Sequence, residues 1–292
     1  MEFIGFKELN AGLNNQKFAI LGLFATAKSL GKGVSIPGLV DFSPEQKRSV
    51  KSIPFGDVFS CEHISEYAAQ VGVEIQWDRI DTYVDPAEMF KAGNLVEGRE
   101  RFVFLAHLRP SLEIGNILAS ILPVIYPDKH TSVVQLRIEK DWHAYAPRRL
   151  AEIKNEDNSV DYKRIIGKAA QISQSDRVFF TCDEQSIEPG RDVVDAYAQS
   201  IGLKTMWKSD VCTADLGYAR NTELDFQVAL HADVFIGTCR STFANVLASA
   251  KAATAIAPWR HYLFNGVGDA PALRTDNGLL VNVGGATRTT PV

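Results

Sequence analysis

Several things are scarce or missing in this sequence, and each narrows what the protein can be. Cysteine is sparse: there are four in 292 residues, Cys61, Cys182, Cys212 and Cys239. They are widely scattered and form no CxxC pair, which argues against a structural zinc site or a redox dithiol and leaves buried free thiols as the expectation. No apolar run approaches the length needed to cross a bilayer. The stretch Met1–Ile20 lacks a charged segment followed by a long apolar core. A cytoplasmic location is therefore expected, the alternative being a lumenal or secreted domain trimmed of its targeting segment, which would more often carry disulfides. Positive charge is not in excess either. A net charge of −4 argues against organisation around a nucleic-acid backbone, while leaving small anions as ligands. No GxGxxG follows any strand pattern, which disfavours a dinucleotide-dependent oxidoreductase. No Asp-x-Asp metal signature occurs, and neither an internal repeat nor a low-complexity segment is apparent.

What is present is an ordinary globular balance, 46% hydrophobic and 23% charged, and a repeated alternation of strand and helix patterns. The length suits one long sheet or two compact halves of roughly 100–150 residues. Glu2–Phe6 reads as a strand, followed by the Asn- and Gly-rich turn 10–15. From Gln16, the residues Ile20, Leu23, Phe24, Ala27 and Leu30 form a helical stripe that Gly31 and Gly33 end before a strand at Val34–Ile36. Phe102–Ala106 reads as another strand and Ser111–Ile121 as a helix halted by Pro123. In the second half, strands are expected at Val133–Leu136, Val178–Thr181, Lys204–Trp207, Val234–Ile236 and Thr254–Ala257. The segment bearing Val194, Tyr197, Ala198 and Ile201 is a crossover helix between two of them. Asn155–Tyr162 reads as a surface loop, and the tail Gly284–Val292 is expected to fray. Such βα alternation implies mainly parallel sheet. The crossing between halves is placed near Asp128–Thr131, giving domains 1–128 and 129–292.

Parallel α/β sheets bind ligands beyond the carboxyl ends of their strands, so three strand-to-helix loops are informative. Gly12-Leu13-Asn14-Asn15-Gln16 can aim backbone N–H groups and side-chain amides at an anion, although an Asn-rich turn capping a helix explains it as well. Gln135-Leu136-Arg137-Ile138-Glu139-Lys140-Asp141-Trp142 follows a buried strand. Arg137 there can hold a diphosphate bidentately, or simply join a strand-end salt bridge with Glu139 and Asp141. In Gly237-Thr238-Cys239-Arg240-Ser241-Thr242-Phe243, Ser241 and Thr242 fall at a helix N-terminus, where hydroxyls, N–H groups and the helix dipole can seat a phosphate or merely cap the helix. His107 and Arg109 read as surface or interdomain residues, and His231 as complementing a helix dipole. Trp142, Trp207 and Trp259 read as packing residues, Trp259 being the strongest candidate for an exception.

Taken together, these loops resemble, in order, motifs of the GDP-fucose O-fucosyltransferase superfamily. Gly12–Gln16 with Val34-Ser35-Ile36-Pro37 is similar to its N-terminal signature, and Phe55–Ile64 is similar to a stretch of its plant branch, which includes rhamnosyl- and mannosyltransferases. Gln135–Trp142 resembles its His-x-Arg…Asp-Trp loop, and Ala232–Phe243 its Phe-Ile-Gly…Ser-Ser-Phe loop. The resemblance implies a GT-B fold, an α/β architecture of two Rossmann-like domains facing a central cleft. It also implies an inverting, metal-independent transfer of fucose from GDP-fucose to a hydroxyl of a protein or glycan acceptor.

By the same resemblance, Asn15 and Arg137 are the catalytic donor-phosphate contacts. Gly12, Asn14, Asp141, Asp183, Ser241, Thr242 and Phe243 complete the donor site, with no metal ligand and no cofactor beyond the nucleotide sugar. Two departures stand out. Gln135 replaces the family's usual His two residues before the Arg, and Ala11 stands where some members carry a Glu. No base is assigned: Glu8, Glu139, Asp141 or a donor-phosphate oxygen remain open. Another nucleotide sugar, GDP-mannose or a nucleotide rhamnose, is the alternative donor, and a catalytically silent nucleotide-sugar or glycan-binding protein is the alternative class. The partners expected are a nucleotide sugar and a carbohydrate or protein acceptor, without nucleic acid or a membrane span.

Overall fold

The computed structural model describes residues 1–41, 51–127, 131–140, 142–143, 161–173, 175–214, 216–238, 241–254, 260–264 and 272–273. The chain begins with the expected βαβ unit. β1 (Phe3–Gly5) leads into α1 (Leu13–Leu30) and returns to β2 (Gly33–Ser35), which lies parallel to β1. Apolar residues on more than one face bury α1 on most of its circumference. Gly31 ends it because the chain turns left-handed there, φ 63°, letting its N–H reach the last carbonyls of the helix.

A short antiparallel hairpin follows, β3 (Leu39–Asp41) with β4 (Lys51–Ile53). Next comes α2 (Cys61–Val71), whose start is capped by Ser60. β5 (Ile75–Gln76) and β6 (Thr82–Tyr83) complete a parallel sheet in the order β5-β2-β1-β6. α3 (Pro86–Leu95), α4 (Gly98–His107) and α5 (Leu112–Ile125) close the first half.

The second sheet runs in the order β12-β11-β10-β7-β8-β9. It comprises β7 (Ser132–Gln135), β8 (Arg177–Thr181), β9 (Lys204–Trp207), β10 (Val234–Thr238), β11 (Arg260–Phe264) and β12 (Ala272–Leu273). All of its pairings are parallel except β11 with β12. α6 (Tyr162–Ile172) and α7 (Arg191–Ser200) cover one face, and α9 (Gly217–His231) and α10 (Thr242–Thr254) the other. A single turn, α8 (Lys208–Val211), follows β9.

Period-2 alternation decides which core each strand residue joins. Val133, Phe179 and Phe235 point toward α9 and α10, while Val134, Phe180 and Ile236 point toward α6 and α7. The first of these cores does not stop at the sheet. It continues through Phe226, Leu224 and Leu247 into Phe18, Phe24, Phe59 and Phe104 of the first half. α9 packs on α5 and β3, and α10 on α4.

Three sequence expectations change. Phe102–Ala106 is helical, inside α4 rather than a strand; a short unbroken apolar run fits either structure, and here it continues a helix opened by the polar residues 98–101. α5 runs through Pro123 to Ile125 instead of halting before it. Pro123 has no N–H to give the carbonyl four residues earlier, so the last turn of α5 is one backbone hydrogen bond short. Thr254 closes α10, with β11 beginning at Arg260; the rest of the strand expected at Thr254–Ala257 lies outside the described residues. So do most of the predicted crossing at 128–131, all of 155–162 except Asp161 and Tyr162, Trp259 and the tail. Tyr162 is the first residue of α6, with Asp161 as its cap.

Candidate functional site

The order of the second sheet defines where a ligand fits. From β7 the chain moves outward to β8 and β9, then returns to β10 on the other side of β7. Connections leaving the carboxyl ends of β7 and β10 therefore diverge and open a crevice between them. The structure brings Gln135, Arg137, Thr238 and Ser241 to that crevice, each at or just after the end of one of these two strands.

The crevice is walled by buried polar atoms without partners among the described residues. Gln135 Oε1 and Thr181 Oγ1 sit on register-paired residues of β7 and β8, and Thr238 Oγ1 sits on the last residue of β10. Asp225 of α9, buried and within electrostatic reach of Asp183 and Glu184 just after β8, holds a fourth such atom. Its Oδ2 accepts from Lys208 Nζ at 2.9 Å, whereas its Oδ1 has no partner. Burial pushes the Asp225 carboxyl up to about 6, against the pull of Lys208 and with the added repulsion of Glu184 and Asp183. Asp183 accepts from Ser186 Oγ at 2.9 Å, and Glu184 accepts from the Ser209 N–H at 3.1 Å. Leaving buried polar atoms unsatisfied costs about 1–3 kcal/mol each. A hydrogen-bonding ligand is one group that would satisfy these atoms.

Arg137 shows the strand-end salt bridge that the sequence offered as one of its two readings. It forms the strand-end salt bridge with Glu139, Nη1 to Oε2 at 3.0 Å, and its guanidinium lies over the Trp142 ring at 4.3 Å. The ion pair and the aromatic face together fix the plane of the guanidinium, which is the preorganisation that bidentate anion binding requires. Asp141 lies outside the described residues. Ser241 is the cap of α10, its Oγ accepting from the Ala244 N–H at 3.4 Å. Thr242 begins that helix and stays partly exposed, and Phe243 packs against Phe226 and Phe235.

The first loop reaches the same place from the other half. Gly12 precedes α1 with no side chain capping the helix, and Asn14 and Asn15 each hold a buried Oδ1 without a partner among the described residues. Gln16 is the structural member of the set: it donates to Ala11 O and Val40 O and accepts from the Val40 N–H, bracing the loop against β3. A Cβ placed on Gly12 would stand 3.4 Å from the Tyr218 hydroxyl in the first turn of α9. Asp41, at the end of β3, accepts from the Ala219 N–H at 2.8 Å and so caps α9 from across the molecule. α9 antiparallels β10, so its N-terminus stands at the carboxyl end of the second sheet, and the loop after β1 meets it there.

Sequence reasoning missed Asp225, Lys208, Glu184 and Tyr218. Other expectations hold or change locally. Cys182 is a buried thiol, raised well above its ordinary value by burial, with Glu139 and Asp225 adding to it. Cys61, by contrast, is exposed, and Cys239 lies outside the described residues. His107 ends α4, bonded to Val103 O and packed on Tyr67, and His231 bonds to Gln227 O near the end of α9. Trp207 is fully buried and Trp142 nearly so. Among the described residues no helix is long and apolar enough to cross a membrane.

The fold is that of an α/β protein with two mainly parallel sheets, the second reversing its strand order between β7 and β10. The same fold is found in crystal structures of POFUT1. The POFUT1 complex with GDP-fucose superimposes with a TM-score of 0.60 at 15% identity, covering 91% of this chain and 98% of that one. The POFUT1 complex with GDP gives 0.58 at 15% identity over 85% and 94%, and an apo form of POFUT1 gives 0.57 at 14%. No protein-family profile matches the chain, and no curated protein matches it either.

Proposed function

We propose that this protein is a glycosyltransferase of GT-B architecture, with residues 1–128 and 129–292 as its two lobes. It moves fucose from GDP-fucose to a hydroxyl with inversion and without a metal ion. One observation carries the reading: the unpartnered buried polar wall of the β7/β10 crevice, with Arg137 and the start of α10 at its mouth, in a fold that POFUT1 presents in complex with GDP-fucose. A nucleoside diphosphate has the matching chemistry. Its base and ribose offer N–H and O–H donors to Asp225 Oδ1 and Gln135 Oε1, and its phosphates suit a guanidinium and a helix N-terminus.

As the bond from sugar to phosphate stretches, negative charge gathers on the departing phosphate. Arg137 and the N–H groups of α10 beside Ser241, Thr242 and Phe243 stabilise it, while Asn15 and Asn14 approach from the α1 loop beside Gly12. Asp183 supports the nucleotide side of the crevice, and Asp141 completes the loop bearing Arg137. The acceptor hydroxyl is a carbohydrate or protein group, and no residue is assigned as its base. Gln135, in place of the family's His, lies on the wall itself, so a GDP-mannose or nucleotide-rhamnose donor is the second reading. Ala11, in place of a carboxylate, favours a silent nucleotide-sugar-binding protein.

Calorimetric titration of GDP, UDP, dTDP and their sugar conjugates into wild type and Arg137→Ala, without added metal, decides among these. Selective binding of GDP or GDP-fucose is expected, with turnover in the variant lower by on the order of 100-fold. Binding of a different nucleotide transfers the site to another donor. No binding at all removes the donor reading, and binding without donor hydrolysis or transfer identifies the silent scaffold.

A further inference from the structure

α9 carries two buried carboxylates that face opposite ways. Glu223 and Asp225 are two positions apart, about 200° around the helix. Asp225 meets Lys208 of the nucleotide half at 2.9 Å. Glu223 meets Lys17 of α1 at 2.8 Å, with side chains 0% and 2% exposed. Gln227 Nε2 donates to the other oxygen of Glu223, and the Lys17 ammonium lies 3.5 Å from the centre of the Phe226 ring. One helix is thus keyed by an ion pair to each half of the molecule. Lys17 stands one turn into α1, beyond Gly12 and the first-turn residues Asn14 and Asn15.

An ion pair this deep is a poor source of stability. Removing both charges from water offsets most of their attraction, and an apolar pair of equal volume often does as well or better. Burial pulls Lys17 down and pushes Glu223 up, each against the pull of its partner. What the pair supplies is direction. Apolar contacts are non-directional and tolerate sliding of one helix along another, whereas a single lysine and a single carboxylate meet in one register.

We propose that the Lys17–Glu223 pair is a positioning device. Through α9 it fixes the first turn of α1, with Asn14 and Asn15, over the nucleotide crevice, and it serves sugar transfer rather than nucleotide affinity. Two further contacts across the same seam set the distance it keeps, the Asp41 cap on Ala219 and the approach of Gly12 to Tyr218. The inference rests on the donor reading above for its chemistry, but not for its geometry.

The test is the full-length apolar replacement Lys17→Met/Glu223→Leu, with Lys17→Met/Glu223→Gln as a second variant that keeps the Gln227 contact should the first not fold. Amide exchange at residues 13–16 and 218–221 should accelerate by about tenfold or more, with the rest of the chain unchanged and the melting temperature close to wild type. GDP affinity by calorimetry should stay within about threefold, while GDP-fucose turnover falls about tenfold or more, a split that a loss of general stability does not produce. Unchanged exchange in the loop overturns the proposal. So does a parallel fall in affinity and turnover, unaltered turnover despite faster exchange, or a large drop in melting temperature in both variants. If wild type binds no nucleotide, the donor reading fails, and the exchange measurement still decides whether the pair sets the loop.

Discussion

Lys251 shows how a single buried residue ties stability to pH. It lies on α10, almost fully buried, and its ammonium donates to Leu230 O and Ala232 O at the end of α9, where the last carbonyls of a helix lack partners. Burial pulls its pKa down to about 7, with Asp233 opposing. Between that value and its ordinary 10.5, the unfolded chain holds a proton that the folded chain has released. Stability therefore rises with pH across this window and is lowest below it, with a slope of up to about 1.4 kcal/mol per pH unit. Urea unfolding of wild type and Lys251→Met between pH 7 and pH 10 measures this. Wild type should gain on the variant as pH rises, and parallel curves would show that the lysine keeps its proton. At the same scale, the sequence exposed Arg137 together with its strand-end salt bridge, and the geometry shows the pair with Glu139. It hid Asp225 because nothing local separates a buried carboxylate from a solvated one.

Among the elements, the closest packing is between α1 and α3. A Cβ on Gly22 would fall 1.9 Å from Met89 O, and one on Gly93 would fall 1.9 Å from Phe18 O. The two helices cross with their backbones in contact, and a methyl group must push them apart. Gly22→Ala is expected to lower stability by about 3 kcal/mol or more, the upper end of overpacking costs, because backbone rather than a flexible side chain stands in the way. Gly115 is the internal contrast: it lies within α5 with nothing inside 4 Å of an added Cβ. Gly115→Ala should therefore gain about 0.5–1 kcal/mol. Denaturant midpoints of the two variants should move in opposite directions, and equal shifts would contradict the crossing. Most strands of the second sheet were readable because buried parallel strands are continuous apolar runs between turns. β3 to β6 were not, because strands of two or three residues leave almost no periodicity.

At the scale of the molecule, the two sheets are separate but share a core. Phe18 and Phe59 of the first half and Phe226, Val133 and Phe235 of the second belong to one cluster, held together by α9 and α10. Tyr126 Oη donates to Val228 O, and Arg220 pairs with Glu113, along the same seam. A chain with a continuous interior should unfold as one cooperative unit. Differential calorimetry is expected to show a single transition whose van't Hoff and calorimetric enthalpies agree, whereas two resolved transitions would mean that the seam is a weak interface.

The amino-acid sequence by itself determined the α/β class, the βαβ opening and most strands of the second sheet. Local apolar periodicity and turn residues encode these features within a few neighbouring positions. Only the tertiary structure decided that Gly12 and the first turn of α1 meet the N-terminus of α9, and that Asp225 is buried beside Lys208 with one oxygen unpaired among the described residues. It alone joined Lys17 to Glu223 across 206 positions of chain. Strand order and helix crossing place such residues together, and both are set by the burial of whole faces, which no local spacing records.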